Sequence, residues 1–315
     1  MSAQGGVQAP LVPPFPYFGG KRRVAGEIWA RLGDVANYVE PFAGSCAVLL
    51  ARPHTPHIET INDADGLVAN FWRAMALKPE EVLHHADWPV SEPDLVARQN
   101  WLTRSRESMS AQLMAAPAWC DAQAAGWWVW AISQWIGSQF CKREVASALP
   151  YICGDGGHGI HGAGRDGMAK LAAVAARMRH VRVACGDWSR VVGASVLSFK
   201  KVKSIGVVLD PPYDDGVNVY AKNERMSADV RAWCLKHQGM SNVRIALCGY
   251  DGEHNELADR HGWAVYAYKK HAGYGVQAAD GAGEEEEGDG RRNARRERVW
   301  FSPSCLQVAD QTSLL

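Results

Sequence analysis

The amino-acid sequence predicts an α/β fold, doubly wound around a mostly parallel sheet of seven strands, with a mainly helical subdomain inserted. Three observations carry that expectation. Seven short apolar runs each end in a polar or turn residue. Helix-like stretches separate most of them. Several runs are continuously apolar instead of alternating, the pattern of strands covered on both faces. Strands alternating with helices imply parallel pairs joined by crossovers.

Residues 1–16 are rich in Gly and Pro and read as an extended lead-in. A helix-like stretch, Lys21–Leu32, precedes the first strand, Tyr38-Val39-Glu40-Pro41, and a short apolar helix covers Cys46–Leu50. The second strand runs from Ile58 to Asp63 and leads into a helix over Leu67–Ala76. From 67 to 180 the composition shifts: Ala- and Trp-rich and helical at first, then glycine-rich between Gly154 and Gly162. This interval is expected to be an inserted subdomain, leaving 1–66 and 181–315 as the enclosing domain. The later strands are Val181 to Asp187, Ile205 to Asp210, Val243 to Tyr250, Trp263 to Tyr268 and Val299 to Ser302, with a helix at Ala228–Gln238. Residues 274–298 carry Glu284–Glu287 followed by Arg291, Arg292, Arg295 and Arg296. Such a composition cannot bury a core, so a mobile loop is expected there.

Composition narrows the function. Of 315 residues, 47% are hydrophobic and 22% charged, which excludes wholesale disorder. Thirty-four Lys and Arg balance 34 Asp and Glu, so nucleic acid is not held by bulk basicity, although local basic faces remain open. No run approaches the ~18 apolar residues of a membrane span, and the opening Met-Ser-Ala-Gln-Gly-Gly is no secretory signal. The eight cysteines are therefore expected as reduced thiols in a cytoplasmic protein.

In doubly wound sheets ligands bind at the carboxyl ends of the strands, so the polar residues there are the first candidates for chemistry. The sharpest is Asp210-Pro211-Pro212-Tyr213, at the end of the apolar run Ile205–Leu209. Proline fixes φ and lacks an N–H, so two in succession make a stiff turn with free carbonyls. A carboxylate, a carbonyl and an aromatic face so close together suit a planar ring bearing an exocyclic amino group. The purely structural alternative is a strand end closed by a proline turn.

Glu40-Pro41-Phe42-Ala43-Gly44-Ser45 places a glycine at a strand-to-helix turn, where a ligand can approach the backbone; the spacing is not the dinucleotide fingerprint. Asp63 ends the next strand, where an acid can accept hydrogen bonds from ribose hydroxyls. Together they point to a pocket for a nucleoside-containing cofactor. Tyr17-Phe18-Gly19-Gly20-Lys21 stands before the first helix, with exposed amides and a cation suited to a carboxylate or phosphate, or else a hinge with a solvated lysine. Gly186-Asp187-Trp188 offers an acceptor for an adenine amino group beside a ring, or a turn with a core tryptophan. Trp127, Trp128, Trp130 and Trp135 fall at helical spacing and are expected in the core. Cys141, Cys153, His158 and His161 fit none of the usual zinc spacings, so no metal is expected.

In that chain order, Phe18-Gly19-Gly20-Lys21, Glu40 to Ser45, the strand-end Asp63 and Asp210 to Tyr213 resemble the D12-class (Dam-like) adenine-N6 DNA methyltransferases, particularly members from phages and prophages. The resemblance spans roughly 14–275 plus the last strand. It implies a Rossmann-like methyltransferase sheet, S-adenosylmethionine as cofactor, double-stranded DNA as substrate and a cytoplasmic location in a bacterium or phage-infected cell. By motif position, Tyr17 to Lys21 and Glu40 to Ser45 would surround the cofactor's methionine end, Asp63 its ribose, and Asp187 with Trp188 its adenine. Asp210 to Tyr213 would hold the target adenine, with Asp210 also facing the cofactor. The inserted subdomain would read DNA, with Lys142, Arg143, Arg165, Arg177 and Arg179 as basic candidates. The chain departs from the family at Cys46, where a second glycine is common, and in its acidic run. An N4-cytosine enzyme more often has Ser at position 210; an inactive DNA-binding protein of the same fold would tolerate loss of Lys21, Asp63 and Asp210.

Overall fold

Apolar runs become strands because only a covered sheet hides both of their faces. The computed structural model describes residues 10–17, 19–135, 140–151, 167–197, 203–213, 221–267 and 296–308. Strands β1 (Asn37–Glu40), β2 (Ile58–Asp63), β3 (Arg182–Cys185), β4 (Ile205–Leu209), β5 (Val243–Tyr250), β6 (Ala264–Ala267) and β7 (Glu297–Phe301) form one sheet ordered β3-β2-β1-β4-β5-β7-β6. β2 is parallel to β1 and β3, and β4 is parallel to β5. β7 runs antiparallel to both of its neighbours, β5 and β6. The chain is thus the mostly parallel seven-stranded α/β fold that its sequence predicts. β7 opens at Glu297, inside the stretch expected to be a loop, because Glu297 and Arg298 pair with Tyr250 and Gly249. The glycine-rich 154–162 segment and the acidic run 284–287 lie outside the described residues.

The chain divides into two compact units, Met1–Trp29 with Asp34–Val202, and Ala30–Gly33 with Lys203–Leu315. Helix α1 (Ala25–Leu32) crosses that division. In the first unit, β1 to β3 carry α2 (Ala47–Leu50), α3 (Gly66–Leu77), α4 (Pro79–Ala86), α5 (Glu92–Ala115), α6 (Ala122–Ile132), α7 (Gly167–Met178) and α8 (Ala194–Leu197). Their starts follow capping chemistry: Asp65, Ser91 and Asp121 accept the first-turn amides of α3, α5 and α6. Phe15, Phe71, Trp72 and Trp128 interlock with ring centroids 4.8–5.8 Å apart. Trp128 and Trp130 are buried, so helical spacing placed them in the core. Arg98 of α5 is buried too, its guanidinium over the rings of Trp88, Trp127 and Trp130 at 4.5–5.3 Å.

The second unit holds β4 to β7 with α9 (Ala221–His237) and α10 (Asn255–His261). All five β4 residues are buried, as are seven of the eight in β5. The run delivering Asp210 is therefore a central strand. Among the described residues no helix is long and apolar enough to cross a membrane, and no three His, Cys, Asp or Glu side chains gather where they would hold a metal.

Candidate active site

The Gly44 turn is where the first unit's motifs meet. Gly44 has φ 45°, and a Cβ there would lie 2.7 Å from the Tyr17 ring, so only glycine lets that ring lie on the turn. Its N–H donates to Asp63 Oδ2 at 3.0 Å and its carbonyl accepts the Trp72 indole N–H at 2.9 Å. Cys46 closes the turn at φ 53°, ψ 32°, also left-handed, which costs a residue with a Cβ about 1–2 kcal/mol. Here lies the physical reason that a glycine suits this position in the resembled family. The Cys46 thiol is fully buried and burial holds its pKa well above the ordinary value.

The Tyr17–Lys21 segment folds onto the same turn. Gly20 N–H donates to Tyr17 O at 3.0 Å, and a Cβ on Gly20 would lie 3.6 Å from Ser45 Oγ. Lys21 is buried in a short 3-10 turn (Lys21–Arg23), its Nζ donating to Gly19 O at 2.5 Å. A solvated hinge lysine is thereby excluded. Phe18 lies outside the described residues. Glu40 is buried and accepts from the Tyr38 hydroxyl at 2.9 Å and Leu49 N–H at 3.3 Å, tying β1 to α2. Phe42 stacks on Trp188 at 6.0 Å, which brings the Asp187–Trp188 segment to the Gly44 loop. Trp188 is buried; Asp187 is exposed, its Oδ1 accepting Ser189 N–H at 3.0 Å and the Ser189 hydroxyl at 2.5 Å.

Asp63 takes two backbone amides, Gly44 N–H on Oδ2 and Asp65 N–H at 2.9 Å on Oδ1. Burial, then the charge of Asp65, pushes its carboxyl up to about 6, while those amides and Arg106 pull the other way. Sequence reasoning missed Asn62. Its Nδ2 donates to Pro41 O at 3.0 Å and Gly186 O at 2.9 Å, so one amide ties the Gly44 loop to the Asp187 loop. Its Oδ1 is buried with no hydrogen-bond partner among the described residues. The available signal was its place beside Asp63 at a strand's carboxyl end.

In the second unit, Asp210 leaves β4 half-buried, Pro211 is buried and Pro212 is exposed. The Tyr213 hydroxyl donates to Asp210 Oδ1 at 2.7 Å, and its ring meets Tyr250 edge-on at 4.7 Å. Tyr250, missed from sequence, ends β5, beside β4 in the sheet. The guanidinium of Arg296 covers its ring at 4.8 Å.

Of the basic candidates, Lys142 and Arg143 are exposed, on a segment fastened to α5 by Gln99 Nε2 donating to Arg143 O at 3.1 Å and by two 2.8 Å bonds between Asn100 and Val145. Arg165 lies outside the described residues. Arg177 is not available to DNA: it is buried, with both terminal nitrogens 2.7 Å from the Glu59 carboxylate. Of the residues weighed as zinc ligands, Cys141 is a buried free thiol, and Cys153, His158 and His161 lie outside the described residues.

No curated protein matches the chain. Residues 17–100, which contain the Tyr17–Lys21, Gly44 and Asp63 segments, match the model of the D12 class N6 adenine-specific DNA methyltransferase family, so over that span the chain is similar to these enzymes.

Proposed function

We propose that the chain transfers a methyl group from S-adenosylmethionine to the N6 of an adenine flipped out of double-stranded DNA at a specific site. The observation that carries the reading is the convergence of Tyr17, Asp63 and, through Phe42, Trp188 on one left-handed Gly44 turn. The donor set fits the cofactor. Asp63 offers an acceptor for ribose hydroxyls, the Phe42–Trp188 pair a surface for a flat base, and the Asn62 Oδ1, without a partner among the described residues, an acceptor between the two loops. When bound, S-adenosylmethionine supplies an electrophilic methyl on a sulfonium centre.

A base inside a duplex is out of reach, so the enzyme extrudes it at a cost of a few kcal/mol. Stacking on Tyr213 offsets about 1–3 kcal/mol of that. The amino nitrogen of adenine is a poor nucleophile because its lone pair is delocalised into the ring. Asp210 and the Pro211 carbonyl, by accepting its two N–H hydrogens, favour a pyramidal nitrogen with a localised pair. That geometry belongs to the transition state, so the interaction raises the rate and not only affinity. The methylated nitrogen becomes cationic and sheds a proton readily, so Asp210 need not be a strong base.

Residues 67–180 are proposed to form the DNA-reading part of the chain. Phosphate contacts position such a protein, and the exposure of Lys142 and Arg143 supports that role for them. Reversing both charges, Lys142→Glu with Arg143→Glu, is expected to raise the DNA KM and flatten its salt dependence while cofactor affinity stays unchanged. An unaltered salt slope removes both residues from the interface. The function itself is tested by incubating DNA with methyl-labelled S-adenosylmethionine and identifying the modified nucleoside by mass spectrometry. N6-methyl-2′-deoxyadenosine is expected; label on cytosine N4, or none with intact cofactor binding, overturns the proposal.

A further inference from the structure

Asp65 stands between the Asp63 carboxylate and a cation from another helix. Its Oδ1 caps α3 by accepting Leu67 N–H at 3.0 Å, and its own N–H donates to Asp63 Oδ1 at 2.9 Å. From α5, Arg106 grips the same carboxylate with a fork, Nε to Oδ1 at 3.0 Å and Nη2 to Oδ2 at 2.7 Å. The two helices cannot drift apart or close up independently there. A Cβ on Gly66, the first residue of α3, would meet Ser110 Oγ at 2.2 Å, Ser110 N at 2.8 Å and Arg106 O at 3.1 Å. Backbone presses on backbone, and the guanidinium fork crosses the contact.

We propose that Arg106 is a positioning residue of the methyl-donor pocket, acting through Asp65 on the Asp63 carboxylate. The inference rests on the reading that Asp63 accepts hydrogen bonds from the donor's ribose. A bidentate fork fixes Asp65 in place and in orientation, and Asp65 fixes Asp63 through its amide. Charge follows the same route. Asp65 disfavours ionised Asp63 and Arg106 favours it. The Cys46 and Cys185 thiols also face Asp63, but burial raises both, so they stay neutral in the window that matters. With the Asp63 carboxyl at about 6, donor affinity falls as pH drops through that value, because a protonated acid accepts poorly from a hydroxyl.

The test is the affinity of the full chain for S-adenosylmethionine by calorimetry between pH 5 and 8. Wild type is expected to lose up to about tenfold in affinity per unit below its midpoint. Arg106→Met leaves the Asp65 charge uncompensated, so the midpoint rises by about one unit. Asp65→Asn removes that charge while keeping the backbone amide, so the midpoint falls. Arg106→Lys keeps the charge without the fork and holds the midpoint near wild type. Opposite displacements are the signature, since a merely structural loss weakens binding equally at every pH. Equal midpoints in Arg106→Met, Asp65→Asn and wild type overturn the proposal. Asp63→Asn separates the two readings: its affinity should be weak and independent of pH. If Asp63→Asn binds like wild type, the donor-pocket reading fails; if it is weak while the other midpoints coincide, only the Arg106 role fails.

Discussion

Asp210→Ala is expected to lower kcat for adenine methylation by about 10³ or more while the affinity for S-adenosylmethionine stays within about 1 kcal/mol of wild type. The proposed task of Asp210 is to accept a hydrogen bond that strengthens as the adenine nitrogen becomes pyramidal, so its loss falls on the chemical step. The resting structure adds a second consideration. Asp210 Oδ1 holds the Tyr213 hydroxyl at 2.7 Å, so an incoming amino group must share or displace that bond. Tyr213→Phe removes the competing hydroxyl and keeps the stacking face; its kcat should therefore stay close to wild type. Tyr213→Ala loses the face and with it about 1–3 kcal/mol of base stacking, which should appear in the capture of flipped adenine. Single-turnover kinetics with a labelled methyl group, beside calorimetry for the cofactor, separate these effects. An Asp210→Ala enzyme keeping more than about a tenth of the wild-type rate would remove Asp210 from the chemistry.

The centre of the sheet was legible because β4 and β5 are buried almost throughout and so read as continuous apolar runs. Ile58 to Asp63 and Val243 to Tyr250 appear in the structure with the bounds read from the sequence. The edge of the sheet was less clear. β7 begins with Glu297 and Arg298, whose polarity reads as loop; they become strand because their backbones pair with β5. Local composition cannot report a partner distant in sequence. The site shows the same division. Gly44, Asp63 and Asp210 drew attention because they lie at or just beyond the carboxyl ends of strands, where such sheets bind ligands, although each residue type is common there. Asn62, Asp65 and Arg106 escaped notice because a polar side chain's role depends on what faces it. Asn62 looks like any strand asparagine until its amide is seen spanning Pro41 and Gly186. Arg177 failed in the opposite direction. Its positive charge made it a candidate for phosphate, whereas Glu59, 118 positions earlier in the chain, had already claimed it.

That buried pair yields the largest expected effect on the fold. The Glu59 side chain on β2 is 1% exposed and faces two guanidiniums, Arg52 at 3.1 Å and Arg177 of α7 at 2.7 Å. Arg52 has other holds, Val35 O at 2.7 Å, Asp34 at 3.2 Å and the Trp29 ring at 5.1 Å, whereas Arg177 is given to Glu59. Glu59→Ala therefore leaves at least one buried cation without its counter-charge. Breaking a buried pair from one side costs about 3–5 kcal/mol, far more than the net worth of the intact pair. At about 2–4 °C per kcal/mol, the melting midpoint should fall by roughly 6–20 °C. Glu59→Leu combined with Arg177→Met removes both ends of the fork and should recover much of that loss, because apolar groups of similar volume need no counter-charge. Cofactor affinity should follow stability, since Glu59 lies on the strand that delivers Asp63, four residues upstream. Arg177→Met alone should leave the salt dependence of DNA binding unchanged even where it lowers the melting point, which distinguishes a structural cation from one that meets phosphate. A Glu59→Ala protein melting within about 2 °C of wild type would show that water or rearrangement satisfies the two arginines, and that β2 is held in place by apolar packing alone.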